Sequence, residues 1–275
     1  MNKNLFSVLT LALLGILNAQ LFTAFAQGSL TPPGAPAPLF KTLDQVEPRT
    51  AITNLPINIT QGGSYYLTKS FVQNFANDAI TIATNNVALD FCGFTIRQTV
   101  GSNSAGGIRI ASTFNTPTMQ VSVRNGFITG FTNSAGLLLR GTRNCVFENL
   151  VVTECGAGFN FQANGTAPYV GNILRHCRTS DNSGSGIVFI AGAANSENVI
   201  EQCDSLNNGS AGFAMSVAGN LIIGSRASGN VNNYVIAAGN RMGLIVLPGT
   251  NTVSISGSTS TTGTGTTDPF ANLSY

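Results

Sequence analysis

The sequence repeats one opening four times: Gly136-Leu-Leu-Leu, Gly158-Phe-Asn-Phe, Gly186-Ile-Val-Phe and Gly212-Phe-Ala-Met. A second matching phrase follows each opening: Cys145-Val-Phe-Glu-Asn-Leu, Asn172-Ile-Leu-Arg-His-Cys, Asn198-Val-Ile-Glu-Gln-Cys and Asn220-Leu-Ile-Ile-Gly-Ser. The opening also occurs upstream at Gly107-Ile-Arg-Ile and, more weakly, at Ile80-Thr-Ile, so the pattern returns roughly every 22–29 residues. A repeat of this period predicts a stacked architecture in which each unit buries its apolar face on the next.

Each repeat unit contains two or three short runs in which apolar and polar residues alternate, separated by Gly, Asn and Ser. This alternation is typical of β-strands. No stretch of 80–247 keeps helical spacing over several turns. Units that hold strands without helices, all running in one direction, stack as parallel strands. The sequence therefore predicts an all-β protein, a parallel β-helix of about seven coils.

The openings, the Asn-x-Ile-x-x-Cys phrase and the Asn and Gly corners resemble the right-handed parallel β-helix proteins of the pectate-lyase-like superfamily. That superfamily holds pectate lyases, polygalacturonases, alginate epimerases and many secreted proteins of unknown activity. The resemblance covers roughly residues 80–247 and implies a right-handed coil, which the repeats alone do not fix. It is specific for the fold and identifies no reaction, because one fold carries many functions.

The first 26 residues have the pattern of a signal peptide. Lys3 precedes a long apolar run, and Ala24-Phe25-Ala26 supplies a small-x-small cleavage site. The alternative is a membrane anchor, but Asn18 and Gln20 interrupt the run and no basic cluster follows it. We therefore expect an exported protein, secreted, periplasmic or at the cell surface, with no membrane association after cleavage.

The predicted domains differ in composition. They are a signal peptide (1–26), a Pro-rich linker (27–41), an N-terminal cap (42–79), the parallel β-helix (80–250) and a Ser/Thr/Gly-rich C-terminal tail (251–275). A cap is expected because an open end of a solenoid exposes unpaired strand groups. The last residues, from Pro269 onward, are apolar enough to pack back on the last coil.

The composition narrows the choice of partners. Only 9% of the residues are charged and the net charge is +2, so the chain lacks the basic stripe of a nucleic-acid binder. A surface of hydroxyls and amides suits an extracellular polysaccharide and equally a plain solenoid wall. The five cysteines include Cys177 and Cys203 at equivalent places, which favours stacked free thiols over disulfides. Cys-x-x-Cys spacing is absent, and we predict neither a metal site nor a cofactor.

Equivalent residues of adjacent coils lie about 4.8 Å apart, so aligned positions form columns in space. One column, at a bend just before the cysteines, consists of Asn125, Asn149, His176 and Gln202. Stacked amides there predict a hydrogen-bonded ladder. His176 is the only histidine of the chain, and a general-base role is the alternative to a ladder position. The next column, which we expect to point inward, consists of Leu150, Cys177, Cys203 and Ser225.

Two further columns carry charges of alternating sign, and we name them together the charged strip. The first consists of Arg124, Glu148, Arg175 and Glu201, and the second of Val151, Arg178, Asp204 and Arg226. The alternation of charge sign along each column favours a ladder of ion pairs between side chains that point outward into solvent. The functional alternative is a saccharide-binding groove, whose candidate ligand-binding residues are Arg175, Arg178, Glu201, Asp204 and Arg226.

The charged strip fits known polysaccharide chemistry poorly. A glycoside hydrolase needs two carboxylates, and Glu148 and Glu201 would lie about 9.6 Å apart. Arg175 between them would favour ionisation of both and oppose the required acid. A pectate-lyase-like reaction asks for clustered acids that bind calcium and for a base. No such cluster is visible, although an arginine base at Arg175, Arg178 or Arg226 remains open.

We therefore predict a non-catalytic module that binds an extracellular polymer, with polysaccharide as the expected partner. The alternative is a polysaccharide lyase or epimerase of the pectate-lyase-like group. The sequence does not identify the polymer, the oligomeric state or, for the enzyme alternative, the catalytic residues.

Overall fold

A computed structural model describes residues 47–100, 104–190, 192, 197–246, 255–257, 262–263 and 269–274. The predicted signal peptide and linker lie outside these residues. The chain divides into Met1–Glu47 and Pro48–Tyr275, and the strands all belong to the second unit. Over the described part of the chain, no helix is long and apolar enough to cross a membrane.

The secondary structure of the described residues is entirely β. The strands of the first half are β1 (Thr50–Ile52), β2 (Ile57–Ile59), β3 (Gly63–Leu67), β4 (Phe71–Gln73), β5 (Ile80–Ile82), β6 (Val87–Asp90), β7 (Thr95–Gln98), β8 (Ile108–Ala111), β9 (Thr118–Met119), β10 (Val121–Thr129), β11 (Ala135–Arg140), β12 (Thr142–Arg143) and β13 (Val146–Thr153). Those of the second half are β14 (Ala157–Gln162), β15 (Ile173–Arg175), β16 (Arg178–Ser180), β17 (Ile187–Phe189), β18 (Val199–Glu201), β19 (Asp204–Leu206), β20 (Ala211–Met215), β21 (Leu221–Ile223), β22 (Arg226–Ser228), β23 (Asn232–Ile236), β24 (Arg241–Met242), β25 (Ile245–Val246), β26 (Ile255–Gly257), β27 (Thr262–Gly263) and β28 (Asn272–Ser274).

These strands stack in parallel as three columns. Sheet 1 consists of β2, β5, β8, β11, β14, β17, β20, β23 and β26. Sheet 2 consists of β1, β3, β6, the first halves of β10 and β13, β15, β18, β21 and β24. Outside the three columns, β9 and β12 form a separate parallel pair. Sheet 3 consists of β4, β7, the second halves of β10 and β13, β16, β19, β22, β28 and β25. The predicted all-β parallel β-helix is confirmed.

A residue with positive φ marks each corner of a coil. The corner between sheets 2 and 3 uses Cys92, Asn125, Asn149, His176, Gln202 and Gly224, with φ from 50° to 61°. The corner after sheet 3 uses Gly130, Glu154, Asp181, Asn207 and Gly229. The corner before sheet 2 uses Asn86, Gln120, Asn144, Gly171, Glu197, Gly219 and Gly239. Glycine, asparagine, aspartate and histidine tolerate this conformation best, which explains why such residues punctuate the repeats.

The interior holds the apolar residues that alternate with outward polar ones. Ile200, Cys203 and Ser205 are fully buried, whereas Glu201 and Asp204 of the same coil are partly exposed, as the columns predict. Aromatic rings stack along the axis: the Phe161 and Phe189 centroids lie 4.3 Å apart. Such a stack contributes about 0.5–1.5 kcal/mol beyond the burial of its surface.

Two ladders of asparagines, all buried except the half-buried Asn240, run through the turns. The first consists of Asn172, Asn198, Asn220 and Asn240, and the second of Asn182, Asn208 and Asn230. In both, each side-chain Nδ2 donates to the Oδ1 of the next coil's asparagine at 2.8–2.9 Å. The same Oδ1 also accepts the backbone N–H of the preceding asparagine. Each ladder therefore fixes the register of successive coils while it satisfies buried polar groups.

Strands also form at both ends of the predicted β-helix. Within the segment 42–79, predicted as a cap, β2, β3 and β4 pair in parallel with β5, β6 and β7 and add a coil. Within the predicted tail 251–275, β26 pairs with β23 and β27 pairs with β25. The Ser/Thr/Gly composition of the tail did not predict these strands.

The cysteines form no disulfides. Cys145, Cys155, Cys177 and Cys203 are buried, whereas Cys92 is exposed. Burial raises the pKa of Cys145 to about 11 and that of Cys155 to about 12. Burial and the neighbouring Cys203 raise the pKa of Cys177 well above its ordinary value.

We expect that one thiol of the native protein, that of Cys92, reacts rapidly with a thiol reagent. With a pKa of about 11, Cys145 is thiolate in only about one molecule per thousand at pH 8, and burial blocks its access to reagent. Titration with an aromatic disulfide reagent at pH 8 should consume one thiol rapidly, and the other four only after denaturation. The Cys92→Ser variant should lose the fast phase; a second fast native thiol would contradict the assignment of the interior.

Replacing a ladder asparagine should destabilise the fold strongly. In Asn198→Leu, the backbone N–H and Nδ2 of Asn172 lose their shared acceptor inside the protein. We expect a loss of about 2–3 kcal/mol in the free energy of unfolding, measured by urea denaturation. The matched control is Asn149→Gly at an exposed corner, where glycine keeps the positive φ and the loss should stay below about 1 kcal/mol. Equal losses in the two variants would refute the structural role of the buried ladder.

Candidate functional site

The parallel register brings the residues of the charged strip together as the sequence predicts. In sheet 2, Arg124, Glu148, Arg175 and Glu201 are successive Cα partners, and Asp90 precedes them. In sheet 3, Val151, Arg178, Asp204 and Arg226 are successive partners in the same way. One corner separates the two columns, so they lie on neighbouring faces of the coil.

The arginines of the strip that form ion pairs all reach back to the acid one coil earlier. Arg175 Nε lies 3.1 Å from Glu148 Oε1, and Arg175 Nη2 donates to Glu148 Oε2 at 3.2 Å. Arg226 donates through Nε and Nη2 to the two oxygens of Asp204, at 2.9 and 2.6 Å. These contacts join adjacent coils, and partly exposed pairs of this kind contribute about 0–1 kcal/mol each.

Asp90 lies one coil before Arg124 in the same column and is held by several hydrogen bonds and ion pairs. Burial raises the pKa of Asp90, but the backbone N–H of Cys92, the amide of Asn125 and the guanidinium of Arg124 outweigh burial and leave the pKa below its ordinary value. Its contribution to stability is therefore present at neutral pH and is lost as the pH falls through that lowered pKa. This carboxylate is structural.

Two residues of the strip make no ion pair with any residue that the structure describes. Arg178 is exposed between Val151 and Asp204, and Asp204 is engaged by Arg226. Glu201 is partly exposed beside Arg175, which is held by Glu148. The structure thus pairs Arg175, Asp204 and Arg226 within the wall and leaves Arg178 and Glu201 as its available charges.

The corner column forms two short contacts. Asn149 Nδ2 donates to Asn125 Oδ1 at 3.3 Å, and His176 Nε2 lies 2.5 Å from Gln202 Oε1. The feature that these four residues share is the positive φ of the corner, where Gly224 occupies the same position in the next coil. Backbone conformation therefore accounts for the residue types in this column, His176 included.

A cleft of about 390 Å³ lies on the outer face of sheet 1, where sequence reasoning placed no site. It is lined by Thr132, Asn133, Ser134, Ala135, Leu138, Gly156, Ala157, Asn160 and Gln162. Leu138 and Asn160 are Cα partners on β11 and β14, and they occupy the x position of the Gly-Φ-x-Φ openings. That outward position was one available signal. The other was the turn 132–135 beside the cleft, which recurs before Gly158, Gly186 and Gly212 and stacks on the turn of the next coil.

The cleft offers hydrogen-bonding groups without an ionisable one. Gln162 Nε2 donates to Asn160 Oδ1 at 3.2 Å, which leaves Asn160 Nδ2 and Gln162 Oε1 without a partner among the described residues. A nearby carboxylate belongs to Asp78, whose oxygens are engaged by Arg109 and by the backbone N–H of Gly106. General acid–base chemistry requires a titratable group that can reach the substrate, and none of the described residues that line this cleft is titratable.

Metal chemistry has no ready donor set in the part of the chain that the structure describes. No three His, Cys, Asp or Glu side chains there come close enough together to hold an ion. The fold, the paired strip and the neutral cleft together define a β-solenoid with a polar outer surface.

Comparison with known proteins identifies the family. A model described as "right handed beta helix region" matches residues 56–225, more than half of the chain, and begins one residue before β2. The chain belongs to the family of right-handed β-helix proteins, which also supplies the hand of the coil.

Solved structures and curated sequences were compared as well. The chain is similar to pectate lyase Pel9A, with 14% identity and a TM-score of 0.42 over 74% of this chain and 70% of that one. It is also similar to the A-module of the Azotobacter vinelandii mannuronan C-5 epimerase AlgE6, with 15% identity and a TM-score of 0.41 over 68% of each chain. No curated protein matches the sequence.

The role of His176 can be tested by substitution. Because its φ is 53°, His176→Asn and His176→Gly should each change the free energy of unfolding by less than about 1 kcal/mol. His176→Val should cost about 1–2 kcal/mol, since a β-branched residue resists this conformation. Urea denaturation measures all three. A folded His176→Asn protein that has lost a polysaccharide-cleaving activity would instead assign catalysis to this histidine.

Proposed function

We propose that this protein is an exported, non-catalytic module that binds an extracellular polysaccharide through the cleft on sheet 1. The observation that carries the proposal is the composition of the cleft, which is lined by amides, hydroxyls and the aliphatic Leu138 without an ionisable group. An amide supplies both donors and acceptors, which complement the hydroxyls of a sugar. An aliphatic side chain between such groups supplies apolar contact for the ring.

The charged strip supports binding over catalysis as well. Its pairs, Glu148 with Arg175 and Asp204 with Arg226, already use the groups that a reaction would need. Arg178 adds an exposed positive charge that forms no ion pair with a described residue, which suits weak attraction of an anionic polymer from a neighbouring face. Export itself rests on the pattern of residues 1–26.

The test is retention of the full chain on immobilised polysaccharides. The set comprises neutral glucans, pectate, alginate and glycosaminoglycans, each with and without calcium. We expect retention on at least one polymer, and the double variant Asn160→Ala, Gln162→Ala should weaken it about tenfold or more, because two hydrogen-bonding amides are lost. The matched control is Arg178→Ala on the strip, which should leave retention within about twofold at physiological salt.

Three results would contradict the proposal. Release of unsaturated sugar ends that absorb in the ultraviolet would identify a lyase, the alternative that the sequence left open. Loss of retention in Arg178→Ala, with the cleft variant unaffected, would move binding to the strip. Failure of every polymer to retain the protein would leave a structural wall. Circular dichroism confirms that each variant is folded.

A further inference from the structure

The strand β28 lies out of chain order in sheet 3. Its residue Leu273 is a Cα partner of Arg226 on β22 and of Val246 on β25. The strand therefore occupies a place between two strands that precede it in the sequence by about 25 to 45 residues. We name this place the strand slot and define its walls as residues 222–228 and 243–246.

The backbone of the inserted segment is bonded on both edges. Leu273 N donates to Ser225 O at 2.8 Å, and Asn272 N donates to Leu244 O at 2.7 Å. Phe270 O accepts the N–H of Gly224 at 2.9 Å. β28 is the last strand in the sequence, but because it is hydrogen-bonded on both sides it is held like an internal strand of the sheet.

The side chain of Asn272 forms hydrogen bonds with backbone groups of the strand slot. It is fully buried, and its Oδ1 accepts the backbone N–H of Ser225 at 2.9 Å. Its Nδ2 donates to the carbonyls of Ile222 and Gly243, at 3.1 and 3.2 Å. An apolar residue here would leave buried backbone groups without partners, so the slot is selective for asparagine at this position.

Two further contacts define the fit. Ser274 is fully buried, and its hydroxyl accepts a hydrogen bond from Asn233 Nδ2 at 2.8 Å. The wall passes so close that a Cβ on Gly243 would lie 2.2 Å from Phe270 O. The Phe270 side chain itself is 57% exposed and contributes little to the fit.

The described groups named above that contact the segment lie between Ile222 and Val246, in strands and turns that precede β26. Recognition of the segment therefore does not depend on which chain supplies it. We propose that the strand slot binds the Phe270–Ser274 segment of a second copy of this protein, so that two copies are joined by reciprocal strand exchange. Exchange of an identical element reproduces the intrachain contacts and is a low-cost route to a dimer.

The test uses full-length protein and a labelled peptide, Pro269–Tyr275. The full-length Asn272→Leu variant weakens its own strand and leaves the slot intact. Fluorescence anisotropy should show saturable binding of the natural peptide to this variant. A peptide with the same Asn272→Leu change should bind at least about tenfold more weakly. A peptide with Phe270→Ala should bind within about threefold of the natural one, because that side chain is mostly exposed.

A second arm uses the unmodified chain and so does not depend on the folding of a variant. Donor-labelled and acceptor-labelled copies, mixed at high concentration, should form a dimer that shows energy transfer and that excess peptide Pro269–Tyr275 dissociates. Gly243→Ala should abolish this dimer. A folded Asn272→Leu variant that does not distinguish the peptides would overturn the proposal. Unmodified copies that stay monomeric at every concentration, or a dimer that the peptide leaves intact, would also overturn it.

Discussion

The structure depends on one constraint: each coil must lie in register on the coil before it. Parallel backbone hydrogen bonds allow several registers, but the buried asparagine ladders satisfy their polar groups in one only, because each Oδ1 serves both the backbone and the side chain of its neighbour. The aromatic stack and the inward thiols follow from that register. The outward columns follow from it equally, including the alternation of acid and arginine along the charged strip.

The sequence contained enough information for the repeat, the class of fold and the direction of the side chains. Period-two alternation placed Ile200 inside and Glu201 outside within β18. The corner at Gln202 interrupts the alternation, and the aligned column, not the alternation, placed Cys203 inside. The corner column was also located correctly, but its residue types reflect backbone conformation more than an amide ladder. The continuous ladders form at Asn198 and its equivalents, which head the repeated phrases.

Features that depend on non-repeating segments were beyond prediction. The insertion of β28 involves residues without a counterpart in other coils, so no column aligns them. The choice of ion pairs was equally open, since Arg175 has Glu148 on one side and Glu201 on the other and side-chain geometry decides between them. What results is a wall on which Glu148 is paired with Arg175 and Asp204 with Arg226, beside a cleft whose described lining is neutral.

The central claim is that the buried ladders fix the register, and side-chain hydrogen exchange tests it most directly. Nuclear magnetic resonance can follow the amide protons of Asn198 and Asn208 in deuterated solvent, with the exposed Asn149 as an internal reference. If the ladders hold the coils, the buried amides exchange only on global opening, at least about a hundredfold more slowly than Asn149. Exchange of all three at one rate would contradict the account.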